Sequence, residues 1–456
     1  MAHRRSFILL ALVALAFAVT QAAVGGLRVP LDLDEAVYLS QFSSSVPTIP
    51  YAAHRAPGQG LAAAPVVLLT SSVPVIRGYL IGLSAVLLVA AYLPWLKVTR
   101  AAPLAAALFA STWISLRFAG AALPNHLVAL GAIAAAGLLV RDSRVALAMV
   151  FAGLALLRPT DAAYIGVPLL VAALLKRRRA AAAAICAGLA AGGLWWLIEA
   201  YARFGSPTTR LGAIASINGT DGLHFELLRY WAAMDGNETC LPTTADCGPI
   251  TFASGLWWIG GAILVALGFH AARRAPMMSA VVICTVTAAV FAAAYLVLSD
   301  WAVPRYILPV FALLSIPASE GLRYLARWRP AVVLAAAAVL AHVTFQIATA
   351  ARATDSATEA LTPFVRAAEA LPVTGRCAVI GRFGPQIAFQ RRCHAADMHD
   401  GIEPRDSYGD VTRANIARLR AQGLRVIATT RPRLPEAASW RTVPVPGTRL
   451  TLYLSP

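Results

Sequence analysis

Charge is what this sequence has least of. Only 13% of its 456 residues are Asp, Glu, Lys or Arg and 59% are hydrophobic, whereas a soluble domain carries about 25% charged residues. That scarcity excludes an ordinary water-soluble globule. Acid is scarcer than base, with 22 Asp and Glu against 39 Lys and Arg and a formal charge of +17. Clustered on one surface, such an excess would draw nucleic acid through counterion release. Here it is spread over loops between apolar segments, so no nucleic-acid partner is expected. A glycine-rich phosphate loop is missing as well, since Gly381-Arg382-Phe383-Gly384 is too sparse. So are zinc-type cysteine spacing and internal repeats.

What is present is a series of uncharged stretches. Residues 6–27, 78–96, 118–140, 180–198, 250–272, 275–299 and 330–350 contain no Asp, Glu, Lys or Arg. Each is long enough to cross a ~30 Å hydrocarbon core as a helix. Shorter runs at 101–116, 145–157, 162–175 and 306–319 are ambiguous by length, and charge decides them. If all eleven cross, the turns on one side collect Arg4, Arg5, Lys97, Arg100, Arg141, Arg144, Lys176, Arg177, Arg178, Arg179, Arg273, Arg274, Arg323, Arg327 and Arg329, a net +13. The loops opposite, up to residue 350, sum to −2. The positive side is cytoplasmic, which puts the N-terminus inside and the C-terminus outside. The alternative, one kinked helix across 145–175, would throw the Lys176–Arg179 cluster to the outside. Charge bias rejects it. The first apolar run follows Arg4-Arg5 like a signal peptide, but its length and the missing small-residue cleavage site favour a retained helix.

The composition changes near residue 351, where charge becomes frequent and apolar runs shorten to strand length. The expected organisation is a polytopic helical membrane domain over 1–350, with about eleven transmembrane helices, and a small extracytoplasmic α/β domain over 351–456. In the latter, strands are expected at 376–381, 425–430 and 449–454, with a helical pattern at 411–422. Cys240, Cys247, Cys377 and Cys393 all fall outside the helices, in a compartment that permits the disulfides Cys240–Cys247 and Cys377–Cys393.

Charged residues beside the membrane on the outer side are the candidates for chemistry. Asp34-Glu35, with Tyr38, follows the first helix by a few residues. Adjacent carboxylates could bind a divalent cation, Mg or Mn, or one could take the proton of an attacking hydroxyl; the alternative is a solvated acidic loop. His54-Arg55 comes later in that loop, suited to an anion or to lipid headgroups. Arg158-Pro159-Thr160-Asp161 marks the apex of the shortest helical pair, where a semi-buried charge defaults to a functional role with a partner; Asp161 would make it a structural pair. Arg305 and Tyr306 open the tenth helix, whose N-terminus favours anions, although Asp300 could pair with Arg305 structurally. Arg77 and Arg117 at the outer edge are explained by snorkelling.

Three of these groups, Asp34-Glu35-x-x-Tyr38, Leu157-Arg158-Pro159-Thr160 and Arg305-Tyr306-x-Leu308-Pro309, in that order and on one face, resemble the GT-C superfamily of glycosyltransferases. That superfamily includes protein O-mannosyltransferases, lipid A aminoarabinose transferases and the mannosyltransferases of lipid-linked glycan assembly. The resemblance covers residues 1–350. It implies transfer of a sugar from a polyprenyl-phosphate carrier to a hydroxyl of a glycan, lipid or protein, with inversion at the anomeric carbon. Asp34 would be the general base or share that role with Glu35. Arg158 and Arg305, with His54 and Arg55, would neutralise the departing phosphate. Mannose or a pentose such as arabinofuranose is the sugar expected from the family. A second acidic motif of the family is not evident. A transporter or flippase of lipid-linked saccharides is the rival reading, but it calls for charge near the bilayer midplane, and the helix interiors here are nearly bare.

Overall fold

The computed structural model describes residues 2–49, 52–218, 222–238, 252–273, 277–373, 376–381, 383–395, 416–429 and 439–456. Helix α1 (Ala2–Ala23) leads into two short helices, α2 (Leu33–Ser40) and α3 (Gly58–Val67). A bundle follows: α4 (Val73–Tyr92), α5 (Ala102–Ala110), α6 (Trp113–Phe118), α7 (Pro124–Val140), α8 (Arg144–Leu157), α9 (Pro159–Leu175) and α10 (Arg179–Phe204). Next come α11 (Pro207–Asn218), α12 (Leu227–Ala233), α13 (Phe252–Ala271), α14 (Met277–Val297), α15 (Leu308–Leu325) and α16 (Arg329–Ala370).

Five described spans are long and apolar enough to cross a membrane: Arg4–Ala23, Val73–Lys97, Arg179–Phe204, Met277–Val297 and Val332–Ala370. On α1, Leu9, Leu12, Leu15 and Val19 are each more than half exposed. A continuous apolar stripe of that kind promotes association in water and is the normal outer surface of a helix in lipid.

The stretch 145–175 is a hairpin, not a kinked helix. Arg158 leaves helical geometry (φ −155°, ψ 98°), as expected of a residue before proline. Arg178 donates to the carbonyl of Val140 at 3.2 Å, so the turn after α9 lies at the end of the bundle where α7 finishes. Arg158 lies at the opposite end. Helices α8 and α10 therefore run the same way, and they pack closely because Gly188 and Gly192 rest on the backbone of Ala148 and Ala152.

The apolar run 101–116 is not one crossing. It breaks at Ser111–Thr112, where the Thr112 hydroxyl caps α6 by accepting from the Ser115 N–H (3.3 Å), and Gln346 of α16 accepts from the Trp113 N–H (2.7 Å). One local and one remote partner for the first amides of α6 outweigh the continuity of the apolar pattern.

Helix α16 runs unbroken from Arg329 past residue 351 to Ala370. The change of composition near 351 thus falls inside a helix, where the chain turns polar without losing helical hydrogen bonds. Beyond it lie β1 (Cys377–Ile380), α17 (Gly384–Arg391), β2 (His394–Ala395), β3 (Arg425–Ala428), β4 (Arg441–Pro444) and β5 (Thr451–Leu454). They form one sheet in the order β2-β1-β3-β5-β4, parallel from β2 to β3 and antiparallel beyond. Residues 416–421 are helical. β4 has no apolar alternation and, among the described residues, lies at the edge, paired with β5.

Candidate active site

The site is built on α2. Asp32 is its N-cap, accepting from the Leu33 N–H (2.7 Å), and Glu35 closes the capping box by accepting from the Asp32 N–H (3.0 Å). This reciprocal cap fixes the first turn and sends the two adjacent carboxylates to different environments.

Glu35 is 3% exposed. Both of its oxygens take the Arg77 guanidinium in a two-pronged pair, and the Ala122 N–H donates to it at 2.6 Å. Burial opposes its charge, but the Arg77 guanidinium and these donors hold the carboxyl below its ordinary range. Arg77 in turn donates to the carbonyls of Val29 (3.2 Å), Gly120 (3.0 Å) and Pro30 (2.9 Å). A buried guanidinium with this set of acceptors is not a snorkelling side chain. It ties α4, the 120–122 turn and the loop after α1 into one unit. The grouping of Glu35 with Asp34 as a shared base or a metal pair meets the same geometry: Glu35 has no oxygen to spare. Arg117 is not a lone edge arginine either, since it is nearly buried and pairs with Glu238 at 2.5 Å.

Asp34 keeps 30% of its side chain exposed. Arg55 donates to it at 2.7 Å, and Arg305 approaches its other oxygen at 3.8 Å. Burial would raise its pKa, but Arg55, then Arg305 and His54, hold the carboxyl well below the usual carboxylate range. The neighbouring Asp32 moves the other way. Burial, then the negative charges of Asp34 and Glu35, push it up to about 6 despite Arg305. Tyr38, one turn after Asp34, is pushed up to about 12 mainly by burial.

Two arginines from distant parts of the chain meet over one ring. Arg158 lies 4.9 Å and Arg305 5.3 Å from the Tyr306 centroid, and Arg305 also faces Phe118 at 5.7 Å. Arg158 pairs with Asp161 at 3.2 Å, and Asp161 accepts from the Tyr295 hydroxyl at 2.5 Å. Asp300 does not take Arg305, whose carboxylate neighbour is Asp34. The loop holding His54 and Arg55 reaches this cluster because Gly58 lies against the backbone of Leu156 and Leu157, just before Arg158. A Cβ at position 58 would sit 2.7 Å from those atoms.

Arg210 of α11 holds that loop from behind, a role that sequence spacing does not reveal. It is fully buried, donates to the carbonyls of Ala53 (3.0 Å) and Arg55 (3.0 Å) on either side of His54, and pairs with Glu199 at 2.9 Å. Its guanidinium also covers Trp196 (4.7 Å) and Phe204 (5.1 Å). The sequence places Asp34, His54, Arg55, Arg158, Arg305 and Tyr306 in four separate segments; the fold brings His54, Arg55 and Arg305 to the Asp34 carboxylate and joins Arg158 to them through the Tyr306 ring.

The donor set does not fit a divalent cation at Asp34-Glu35. Asp34 is matched by two guanidinium groups and Glu35 by a third, and among the described residues no three His, Cys, Asp or Glu side chains converge. Cys377 and Cys393 are joined by a disulfide. Cys240 and Cys247 lie outside the described residues.

The fold resembles that of two solved proteins. The chain superimposes on ArnT from Cupriavidus metallidurans bound to undecaprenyl phosphate with a TM-score of 0.66, 14% identity and 97% of each chain covered. The apo state of that protein gives 0.59, with the same identity and coverage. The Archaeoglobus fulgidus oligosaccharyltransferase, in complex with Zn and sulfate, gives 0.51 at 13% identity over 91% of this chain and 68% of that one. No family model matches, and no curated protein matches by sequence.

Proposed function

We propose that the protein is an inverting membrane glycosyltransferase that moves a sugar from a polyprenyl-phosphate carrier to a hydroxyl acceptor on the extracytoplasmic face of the plasma (inner) membrane. The observation that carries this reading is the partly exposed Asp34 carboxylate between Arg55 and Arg305, with Arg158 stacked on the same Tyr306 ring. The structural likeness to a protein seen with undecaprenyl phosphate supports the class of carrier.

The chemistry follows from the charges. Asp34 is ionised at neutral pH, so it can accept the proton of the acceptor hydroxyl as that oxygen attacks the anomeric carbon. The bond from that carbon to the phosphate oxygen breaks on the opposite face, and the phosphate leaves with the electron pair and one more negative charge. Arg305 and Arg158 meet that charge with fixed donors beside a low-dielectric membrane, where preorganised positive charge is most effective. At 3.8 Å Arg305 makes no hydrogen bond to Asp34, so its donors can serve the phosphate while Arg55 keeps the carboxylate aimed. Mannose or a pentose such as arabinofuranose is the proposed sugar, and a glycan, lipid or protein hydroxyl the proposed acceptor.

The proposed topology has the N-terminus in the cytoplasm and the segment after 351 outside. It is supported by the net +13 of the turns and by Arg158 and Arg178 lying at opposite ends of the bundle. The test is binding of a polyprenyl phosphate to purified protein in nanodiscs. Arg305→Ala and Arg158→Ala should each weaken it about tenfold or more, the value of a charge-assisted hydrogen bond. Equal affinity in the wild type and both variants would overturn the assignment of this cluster to the carrier phosphate.

A further inference from the structure

The C-terminal sheet reaches the candidate site through one helix. α17 lies against α2, and its Phe389 is 1% exposed in a core otherwise made of residues between 31 and 122, including Leu31, Ala36, Leu39, Val66 and Ile76. A side chain about 350 positions beyond α2 in sequence thus completes the apolar seat of the helix that carries Asp34. Gln386, one turn earlier on α17, is 2% exposed. With its amide turned to the orientation that satisfies both ends, its oxygen accepts from the Leu33 N–H (3.2 Å), shared with Asp32, and its nitrogen donates to the Phe383 carbonyl (3.2 Å). Leu33 immediately precedes Asp34.

α17 is itself held firmly. The disulfide Cys377–Cys393 joins the first residue of β1 to the residue two past the end of α17, closing the helix inside a covalent loop. Arg391 donates to the carbonyls of Leu371 and Val373, and Phe383 stacks on Phe364 of α16 at 4.1 Å between centroids. The loop therefore hangs on the helix that leaves the apolar bundle. Three independent ties for an eight-residue helix, and a buried aromatic from it inside the core of another segment, are more than a tethered acceptor-binding module requires.

We propose that α17 is a positioning element for Asp34: Phe389 and Gln386 fix the first turn of α2, and the disulfide loop fixes α17. The proposal rests on the glycosyltransferase reading above for its consequence and on packing alone for its structural part. A shift of the base by about 1 Å can cost a factor of about a hundred in rate, so the brace should act on kcat. Carrier binding falls to Arg158 and Arg305, on other elements.

The test compares wild type, Phe389→Ala, Phe389→Leu, Gln386→Ala and the Cys377→Ser/Cys393→Ser pair in nanodiscs, reading kcat, donor KM and amide exchange over 33–40. In Phe389→Ala we expect kcat to fall about tenfold or more, donor KM to stay within about twofold, and the α2 amides to exchange faster. Gln386→Ala and the cysteine pair should show the same pattern more weakly, and Phe389→Leu, which keeps most of the apolar volume, should restore it. Should Phe389→Ala not fold, Gln386→Ala and the cysteine pair carry the comparison. Unchanged exchange over 33–40 in the variants that fold overturns the brace. So does faster exchange with kcat unchanged. A wild type that transfers no sugar refutes the glycosyltransferase reading instead, and the exchange comparison then still decides whether α17 holds α2.

Discussion

Substituting Glu35 by Gln separates a structural carboxylate from a chemical one. The change keeps the shape of the side chain and one acceptor oxygen but removes the charge that answers the buried Arg77. Removing one partner of a buried ion pair costs about 3–5 kcal/mol, because the remaining charge is stranded. Here Arg77 still has the carbonyls of Val29, Pro30 and Gly120, so the lower end, about 3 kcal/mol, is expected. Either the Asp32 or the Ala122 N–H also loses its acceptor when an oxygen becomes an NH2 group. The assay is reversible denaturation in detergent beside sugar transfer per folded molecule. Stability should fall by that amount, while the turnover of the folded fraction should fall by no more than about tenfold, the cost of loosening the first turn of α2, and not by the hundredfold or more expected of the base. Glu35→Gln combined with Arg77→Met should recover part of the loss, since replacing a whole buried pair by apolar bulk is often neutral or stabilising. Full stability with abolished transfer would refute this reasoning and return Glu35 to the chemistry.

Other expectations follow from the same geometry. Arg210→Ala leaves the carbonyls of Ala53 and Arg55 without this donor and Glu199 without its buried partner; at about 1–3 kcal/mol for each buried group left unsatisfied, a loss of about 3 kcal/mol in denaturation is expected, together with a raised donor KM as Arg55 loses its seat. Asp32 is pushed up to about 6, so as pH rises through 6 it adds a negative charge beside Arg305. Donor KM should therefore increase from pH 5 to pH 7, and Asp32→Asn, which still caps α2, should flatten that profile. Gly192→Leu would drive a side chain into the Ala152 backbone and should lower the melting temperature by several degrees, because overpacking costs about 1–3 kcal/mol.

Much of the bundle is legible in the sequence because lipid demands uncharged runs of a set length, and charge at their ends reports the direction of travel. The pivotal turn at Arg158-Pro159 reads correctly for that reason. The segment 101–116 does not, since its break depends on Gln346, more than two hundred residues away. The site divides along the same line. Asp34, Arg158 and Arg305 stand out as charges beside apolar runs with family-like spacing. Asp32 as a titrating neighbour, Arg77 as the partner of Glu35, and Arg210 as the clamp on the His54-Arg55 loop do not, because each acts through a contact made between remote segments. Arg77 did carry one signal, a charge a turn into an otherwise apolar helix, where a buried partner is the default expectation. Nothing local in sequence marks Phe389, one apolar residue in a short amphipathic helix.

In the proposed mechanism Asp34 takes the acceptor proton as sugar leaves a polyprenyl phosphate held by arginine. Its most direct test is transfer of labelled sugar by the purified protein from a panel of polyprenyl-phosphate donors, with an acceptor-containing membrane extract, in wild type and Asp34→Asn. Transfer from one donor by the wild type is expected, with a loss of about a hundredfold or more in the variant, the scale of general-base catalysis. Undiminished transfer by Asp34→Asn would contradict the role of this carboxylate, and movement of lipid-linked sugar across vesicles without transfer from any donor would make the protein a flippase.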